Sequence, residues 1–296
     1  MTEVFVAGSL HWDVVVDALR LPGLDETLMG NSVDYRFGGK GGNQAVAAAR
    51  MGASVAMAGR VGRDDAGMRL RGALDATGID HSQVRECDEA SGMSVAIIDE
   101  NGDYGAVVVS GANKLLAGDE IVLPPDLNLL LLQNEVPESV NLALARRATG
   151  RTRVVLNAAP ARAMSNELMS AVDVLVVNRV EAAALMDVEV EALDPEDAAG
   201  ALRALEPTVV VVTLGADGLV IADADGSERV DATRVEVVSS HGAGDMLCGA
   251  LAAEIARGVN VRDACRFGAA AAALAVSTPF EARGGISESA VRRLMG

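Results

Sequence analysis

The chain reads as an α/β protein: a buried, mostly parallel sheet covered by helices, with a small antiparallel β appendage. Three observations predict this. Short apolar runs recur, each ending in polar residues, and most lead into a helical pattern. Aromatics make up only 2% of the residues while 50% are hydrophobic, so Ala, Val and Leu build the core, which suits helix-on-sheet layers better than an aromatic-rich sandwich. Finally, two alternating stretches, within 14–37 and 94–109, fit neither the buried sheet nor the helices.

Taken in order, Glu3 to Ala7 runs apolar into Gly8-Ser9, a first buried strand. His11-Trp12-Asp13 follows past its C-terminal end, where open α/β sheets gather ligands. Residues 14–36 alternate weakly, break at Leu21-Pro22-Gly23, and predict strands of an accessory sheet. Phe37-Gly-Gly-Lys-Gly-Gly-Asn-Gln-Ala45 predicts a glycine loop opening a compact helix, Ala45 to Met51, closed by Gly52. Such a loop lets backbone approach a ligand, with Lys40 and Asn43 for directional contacts; a flexible turn before an alanine helix has the same composition. No Gly-Lys-Ser/Thr follows, so it is not a Walker A loop.

Ser54 to Val61 predicts a second core strand, and Gly62 to Gly67 leads into a helix ending at Thr77. Ser94–Ile98 and Ala106–Val109 flank Asn101-Gly102, a hairpin signal that completes a flap with residues 14–36. Regular βα alternation follows. Strands at 129–132, 154–156, 174–177 and 208–213 end in Gln133-Asn134-Glu135, Asn157-Ala-Ala-Pro160, Asn178-Arg-Val-Glu181 and Leu214-Gly-Ala-Asp-Gly218. Leu219–Ala222 then starts a β-hairpin. The β-branched run Val235 to Val238 predicts a strand entering Ser239-Ser-His-Gly-Ala-Gly-Asp245, with a helix from Met246 to Arg257 beyond it. The alanine-rich helix Val261–Val276 is expected to pack against that one.

Charge excludes several function classes. Lysine plus arginine number 25 against 42 acids, a formal charge of −17, which repels nucleic acid and anionic lipid. An anionic ligand then needs a local pocket of amides or Mg²⁺. The three cysteines (Cys87, Cys248, Cys265) lack metal-ligand spacing and fit reduced cytoplasmic thiols. Met1-Thr-Glu has no basic leader pattern, and the apolar run Phe267–Val276 is too short to span a bilayer. A cytoplasmic protein is expected.

The chemistry centres on Gly242-Ala243-Gly244-Asp245. The glycines turn the backbone tightly at a helix start, so bare amides and the helix dipole make an anion site. A carboxylate beside an anion site repels the anion unless it handles a proton on a nucleophile attacking bound phosphate. The same Asp is also an ordinary N-cap after a glycine turn. Asn178 and Glu181 lie one helical turn apart, spaced either for a hydrated Mg²⁺ on phosphates or for a capping box. Asp13 suits a turn, Glu135 an arginine pair, His241 the glycine turn, and Trp12 core or flap packing. No strand–Gly-x-Gly-x-x-Gly–helix unit appears near the N-terminus, which counts against a dinucleotide-dependent dehydrogenase.

Together, Gly38-Gly-Lys-Gly-Gly-Asn-Gln-Ala45 and Gly242-Ala-Gly-Asp245 resemble the two signatures of the ribokinase-like (PfkB) carbohydrate kinases. Between them Gly8-Ser9 with Asp13, Ser110-Gly-Ala-Asn113, Glu135, Asn157, Asn178-x-x-Glu181 and Thr213-Leu-Gly-x-x-Gly218 fall in matching order, so the resemblance covers nearly the whole chain. It implies a three-layer α/β/α core (1–13, 37–91 and 111–296) closed by a β lid (14–36 and 92–110). By the same resemblance Asp245 is the catalytic base, with Gly242, Ala243 and Gly244 stabilising the transferring phosphoryl group. Asp13, Gly39, Lys40, Gly41, Asn43 and Glu135 hold sugar hydroxyls. Asn178, Thr213, Gly215 and Gly218 lie near ATP, and Glu181 positions Mg²⁺ through water. The expected reaction is ATP-dependent phosphorylation of a primary hydroxyl on a ribose-like pentose or related ketose, by a homodimer joined through its lids.

Two departures stand out. The family usually carries Asp-Thr-Thr before the glycine turn, where this chain has Ser239-Ser240-His241, and the missing carboxylate helps hold an activating monovalent cation, so K⁺ activation is an open question. Arg179 stands where the family usually has Glu. A nucleoside or pseudouridine kinase, and a non-catalytic sugar or nucleotide sensor on the same fold, are the alternative readings.

Overall fold

The computed structural model describes residues 2–100, 104–148 and 150–296. The chain starts with β1 (Val4–Ala7), crosses into a separate sheet through β2 (His11–Ala18) and β3 (Gly30–Gly38), and returns by α1 (Lys40–Arg50) to β4 (Val55–Gly62). Helix α2 (Asp65–Ala76) leads to β5 (Asp80–Cys87), and β6 (Met93–Ile98) and β7 (Tyr104–Val109) revisit the separate sheet. From β8 (Leu129–Gln133) the path alternates through α3 (Glu138–Arg147), β9 (Arg153–Asn157), α4 (Asn166–Ser170), β10 (Val174–Asn178), α5 (Arg179–Met186), α6 (Pro195–Arg203) and β11 (Val209–Thr213). The hairpin of β12 (Leu219–Asp223) and β13 (Gly226–Val230) precedes α7 (Ala243–Ala256), α8 (Val261–Val276) and α9 (Glu288–Met295).

Among the described residues the main sheet has nine strands, in the order β13-β12-β11-β10-β9-β8-β1-β4-β5. All are parallel from β11 to β5; the hairpin β12–β13 runs antiparallel at the other edge. The apolar runs Val4–Ala7 and Leu129–Leu132 are buried along their whole length because helices cover both faces. Period 2 sorts their side chains. Val4, Val6, Leu129 and Leu131 join the core under α1, α7 and α8, while Phe5, Ala7, Leu130 and Leu132 join the core under α3, α5 and α6. A three-layer α/β/α architecture results.

The smaller sheet is ordered β3-β2-β6-β7 and is mixed rather than antiparallel as expected: β2 and β6 come from two separate excursions of the chain and pair parallel, while the outer pairs are antiparallel. Strands β6 and β7 pair from Met93↔Val109 to Ile98↔Tyr104; the expected Asn101-Gly102 turn lies outside the described residues. The alanine-rich α8 packs along α7, as the sequence predicts.

Three local expectations differ. Val235–Val238 forms no strand: this segment runs as a loop with Val237 and Val238 exposed, so its β-branched composition was not matched by a neighbouring strand. Helix α1 begins at Lys40 rather than Ala45, taking Gly41 and Gly42 into its first turn. Strand β5 is an edge strand that the sequence reading passed over, since only Val84 of its polar run is fully buried. All three cysteines are free, and among the described residues no helix is long and apolar enough to cross a membrane.

Candidate active site

The site forms where the N-termini of α1 and α7 meet beside the C-terminal ends of the parallel strands. Their approach depends on glycines. A Cβ on Gly249 would stand 2.4 Å from the Ala47 Cβ and 2.5 Å from the Gln44 carbonyl oxygen, so α1 and α7 touch backbone to backbone. A Cβ on Gly41 would stand 2.6 Å from the Ser9 nitrogen, and the Gly42 N–H donates to the Ser9 carbonyl at 2.9 Å. The glycines at 41 and 42 thus seat α1 against the loop after β1. Only Gly39, at φ 83°, uses the left-handed conformation, as the residue capping α1.

Gly249 lies one turn after Asp245, so the close packing sets Asp245 against α1. Asp245 Oδ2 accepts from the Asn43 amide at 3.1 Å and Oδ1 from the Gln44 amide at 2.9 Å. The cap of α7 is Gly242, at φ 77° and with no side-chain cap bond, so Asp245 does not cap its own helix. Behind it, Gln44 also donates to Asn157 Oδ1 at 3.0 Å and accepts from Gln133 Nε2 at 3.0 Å. This buried amide chain is rigid because each member is held by another. Burial pushes the Asp245 carboxyl above the usual aspartate range, opposed by Lys40, Gln44 and Asn43. Burial alone would lower the Lys40 ammonium, but Asp245, Glu135 and Glu181 outweigh it and hold it above the ordinary lysine value.

Glu135, just past β8, accepts from the Ser9 hydroxyl and from the Lys40 N–H at 2.8 Å. It therefore bridges the loops after β1 and β3. Asp13 on β2 accepts from the Ser94 N–H at 3.1 Å and the Ser94 hydroxyl at 2.6 Å on β6. A Cβ on Gly38 would overlap Asp13 Oδ2, so glycine is required where this carboxylate meets the loop.

A cavity of about 990 Å³ opens between the two sheets. One wall is a face of the smaller sheet: His11, Asp13 and Val15 on β2 and Ser94, Ala96 and Ile98 on β6 alternate into it with period 2. The structure brings Asp13, Gly39, Lys40, Asn43, Glu135, Asn178, Glu181, Thr213 and the Gly242–Asp245 turn to this one space. Gly41, Gly215 and Gly218 do not line it. Gly41 is packed under Ser9, and Gly218, at φ 86°, faces the Val230 carbonyl, where a Cβ would stand 2.0 Å away.

Asn178 and Glu181, which also line the cavity, form a reciprocal capping box on α5. Asn178 Oδ1 accepts the Glu181 N–H and Glu181 Oε2 accepts the Asn178 N–H, each at 2.8 Å. Burial raises the Glu181 carboxyl, while the Asn178 N–H and Lys40 draw it back. Among the described residues no group of three or more His, Cys, Asp and Glu forms a metal cage. A divalent ion here suits phosphate and water ligands, with Glu181 the acid in place.

The surroundings of Ser239 do not fit a monovalent cation. Its carbonyl and that of His241 already accept from the Arg283 guanidinium, at 2.9 and 2.6 Å. Gln44, Ser94, Arg36 and Arg283 are residues that sequence reasoning left out of the site. Gln44 carried one signal, a polar side chain on the inner face of an alanine helix; Arg283 carried none.

The model of the pfkB family of carbohydrate kinases matches residues 1–282. The chain is 33% identical over 282 residues to a ribokinase of Haemophilus influenzae, covering 92% of this chain and 91% of the relative. It is also 33% identical over 296 residues to one of Bacillus subtilis, covering 97% and 96%. Among solved structures, a ribokinase from Thermotoga maritima superposes with TM-score 0.90 at 28% identity, covering 100% and 99% of the two chains. The Arabidopsis thaliana ribokinase complexed with ribose and ATP superposes with TM-score 0.88 at 27% identity, covering 99% and 98%.

Proposed function

The chain belongs to the pfkB family of carbohydrate kinases and is a phosphotransferase acting on a sugar hydroxyl, and we propose that it moves the γ-phosphoryl group of ATP to a primary hydroxyl of ribose or a closely related pentose or ketose. The observation that carries this reading is the meeting of Asp245, held by Asn43 and Gln44, with the open N-terminus of α7 in one cavity.

In this reading the sugar lies against the smaller sheet. The carboxylates of Asp13 and Glu135 accept from its hydroxyls, Asn43, Lys40 and the Gly39 backbone fix its orientation, and Gly41 serves by seating α1 against Ser9. Asp245 takes the proton of the attacking hydroxyl, and its raised pKa makes it a better acceptor than an ordinary aspartate. The amides of Gly242, Ala243 and Gly244, at the positive end of α7, meet the charge on the transferring group. Lys40 adds positive charge near Asp245. Asn178, Thr213, Gly215 and Gly218 belong to the nucleotide side. Glu181 would hold Mg²⁺ through water, and the ion would neutralise phosphate charge when bound.

Residues 14–36 and 92–110 act as a lid on the core of 1–13, 37–91 and 111–296, excluding water so that ATP is not hydrolysed. The outer side of the lid exposes Val33, Tyr35 and Val107, which suits a homodimer formed lid to lid. A cytoplasmic location follows from the three free thiols and the nucleotide donor.

The test is a coupled assay with Mg²⁺ and ATP against pentoses, ketohexoses, keto-deoxy acids and nucleosides. Turnover highest on ribose or a near pentose or ketose is the expected result. Turnover confined to nucleosides overturns the sugar assignment, and silence across the panel overturns the activity.

A further inference from the structure

Arg283 lies in a short turn after α8 and is 7% exposed. Nε donates to the Thr278 carbonyl at 3.1 Å, Nη1 to the His241 carbonyl at 2.6 Å and Nη2 to the Ser239 carbonyl at 2.9 Å. All three acceptors are backbone carbonyls. Two belong to the segment leading straight into Gly242, the cap of α7; the third follows the end of α8. The same segments are joined by backbone bonds, since the Val238 and Ser239 N–H groups both donate to the Val276 carbonyl, at 2.8 and 3.1 Å.

Carbonyl oxygens turned toward one point repel one another unless a cation sits among them. Here a guanidinium supplies that charge, and its planar fork fixes the angles between the carbonyls as a spherical ion does not. Its plane is braced by Phe280, whose ring lies 5.8 Å from the Arg283 guanidinium and 4.3 Å from that of Arg36, which lines the cavity on β3. The Ser239 hydroxyl accepts the His241 N–H at 3.4 Å and contributes no carboxylate.

We propose that Arg283 is a built-in cation that replaces an exchangeable monovalent ion: it locks the 239–242 turn, positions the amides that open α7, and makes the reaction independent of K⁺. The inference rests on the reading of that turn as the phosphoryl-binding site. Arg283 acts through the turn and is a positioning residue.

The experiment uses the full chain, Arg283→Ala and Arg283→Lys, in Tris, Na⁺ and K⁺ buffers of equal ionic strength. ADP affinity is read by calorimetry and turnover by the coupled assay. For the unaltered protein, both quantities are expected to agree across the buffers to within about twofold, because each charge-assisted bond is already made. Arg283→Ala should lower ADP affinity and kcat by on the order of tenfold, the scale of losing bonds to a charged group, with little change in KM for the sugar. Guanidinium or K⁺, but not tetramethylammonium, should restore a several-fold part of the loss. Arg283→Lys keeps the charge without the fork and should fall between, and it carries the comparison if the alanine variant does not fold. Stimulation of the unaltered protein by K⁺ over Na⁺, an unchanged ADP affinity in a folded variant, or a loss that no cation repairs would each overturn the proposal. ADP binding needs no acceptor, so a silent sugar panel removes the substrate assignment without touching this result.

Discussion

Gln44 stands between Asn157 and Asp245 and donates from one amide nitrogen to both, at 3.0 and 2.9 Å. The carboxylate is thus aimed by a side chain that is itself fully buried and held by Gln133. Gln44→Leu keeps the size and removes the donor. We expect a loss of about 1–3 kcal/mol in stability from the unpaired amides left behind. With one opposing contact gone, the Asp245 carboxyl should also rise further. The check is denaturant unfolding together with the acid limb of kcat/KM, which should move to higher pH; an unmoved limb would show that Gln44 does not tune the base.

The pH profile has a definite sign. A carboxyl with a raised pKa takes up its proton at higher pH, so Asp245 loses its capacity as base before an ordinary aspartate would as pH falls. The acid limb should therefore lie above the normal aspartate range. Asp245→Asn should reduce kcat by roughly 10²-fold or more while ADP still binds, and near-normal turnover would sink the assignment.

Gly249 and Gly72 make a matched pair. Gly249 has the Ala47 Cβ and the Gln44 carbonyl where its own Cβ would go; Gly72, exposed in α2, has nothing within 4 Å. Gly249→Ala should cost about 1–3 kcal/mol by overpacking and lower kcat by shifting Asp245 from its donors. Gly72→Ala should raise stability by up to about 1 kcal/mol and leave kinetics alone. Thermal unfolding and the coupled assay read both.

Asn43 donates to Asp245 and lines the cavity, and in the proposed reading it faces the sugar. Asn43→Ala should weaken sugar binding, read as KM, more than ADP affinity. An equal loss in both would remove it from the sugar site.

Much of this was legible in the sequence because burial writes itself into composition. Val174–Val177 and Val209–Val212 can be buried on both faces only in a covered parallel sheet, and the polar residues after them mark its ligand-bearing edge. What escaped depended on tertiary contact. The glycines at 41 and 42 look like helix breakers, yet they begin α1 because a side chain there would strike Ser9, Leu10 or Phe37. Val235–Val238 has strand composition but no neighbouring strand, only the Val276 carbonyl at the end of α8. Arg283 sits 42 and 44 residues from His241 and Ser239 in sequence, beside Gly-Gly, with nothing local to announce that its partners are carbonyls across the turn.

Helix α7 is buried from Met246 to Ala256, whereas the opposite wall of the cavity is one face of a four-stranded sheet whose other side exposes Val33, Tyr35 and Val107. The two halves therefore stand under unequal constraint. A change near Asp245 disturbs the packing of α7 against α1, but an exchange at Ala96 or Ile98, on the cavity face of β6, leaves the helices where they are. The cavity can therefore change its lining through the smaller sheet while α1 and α7 stay as they are.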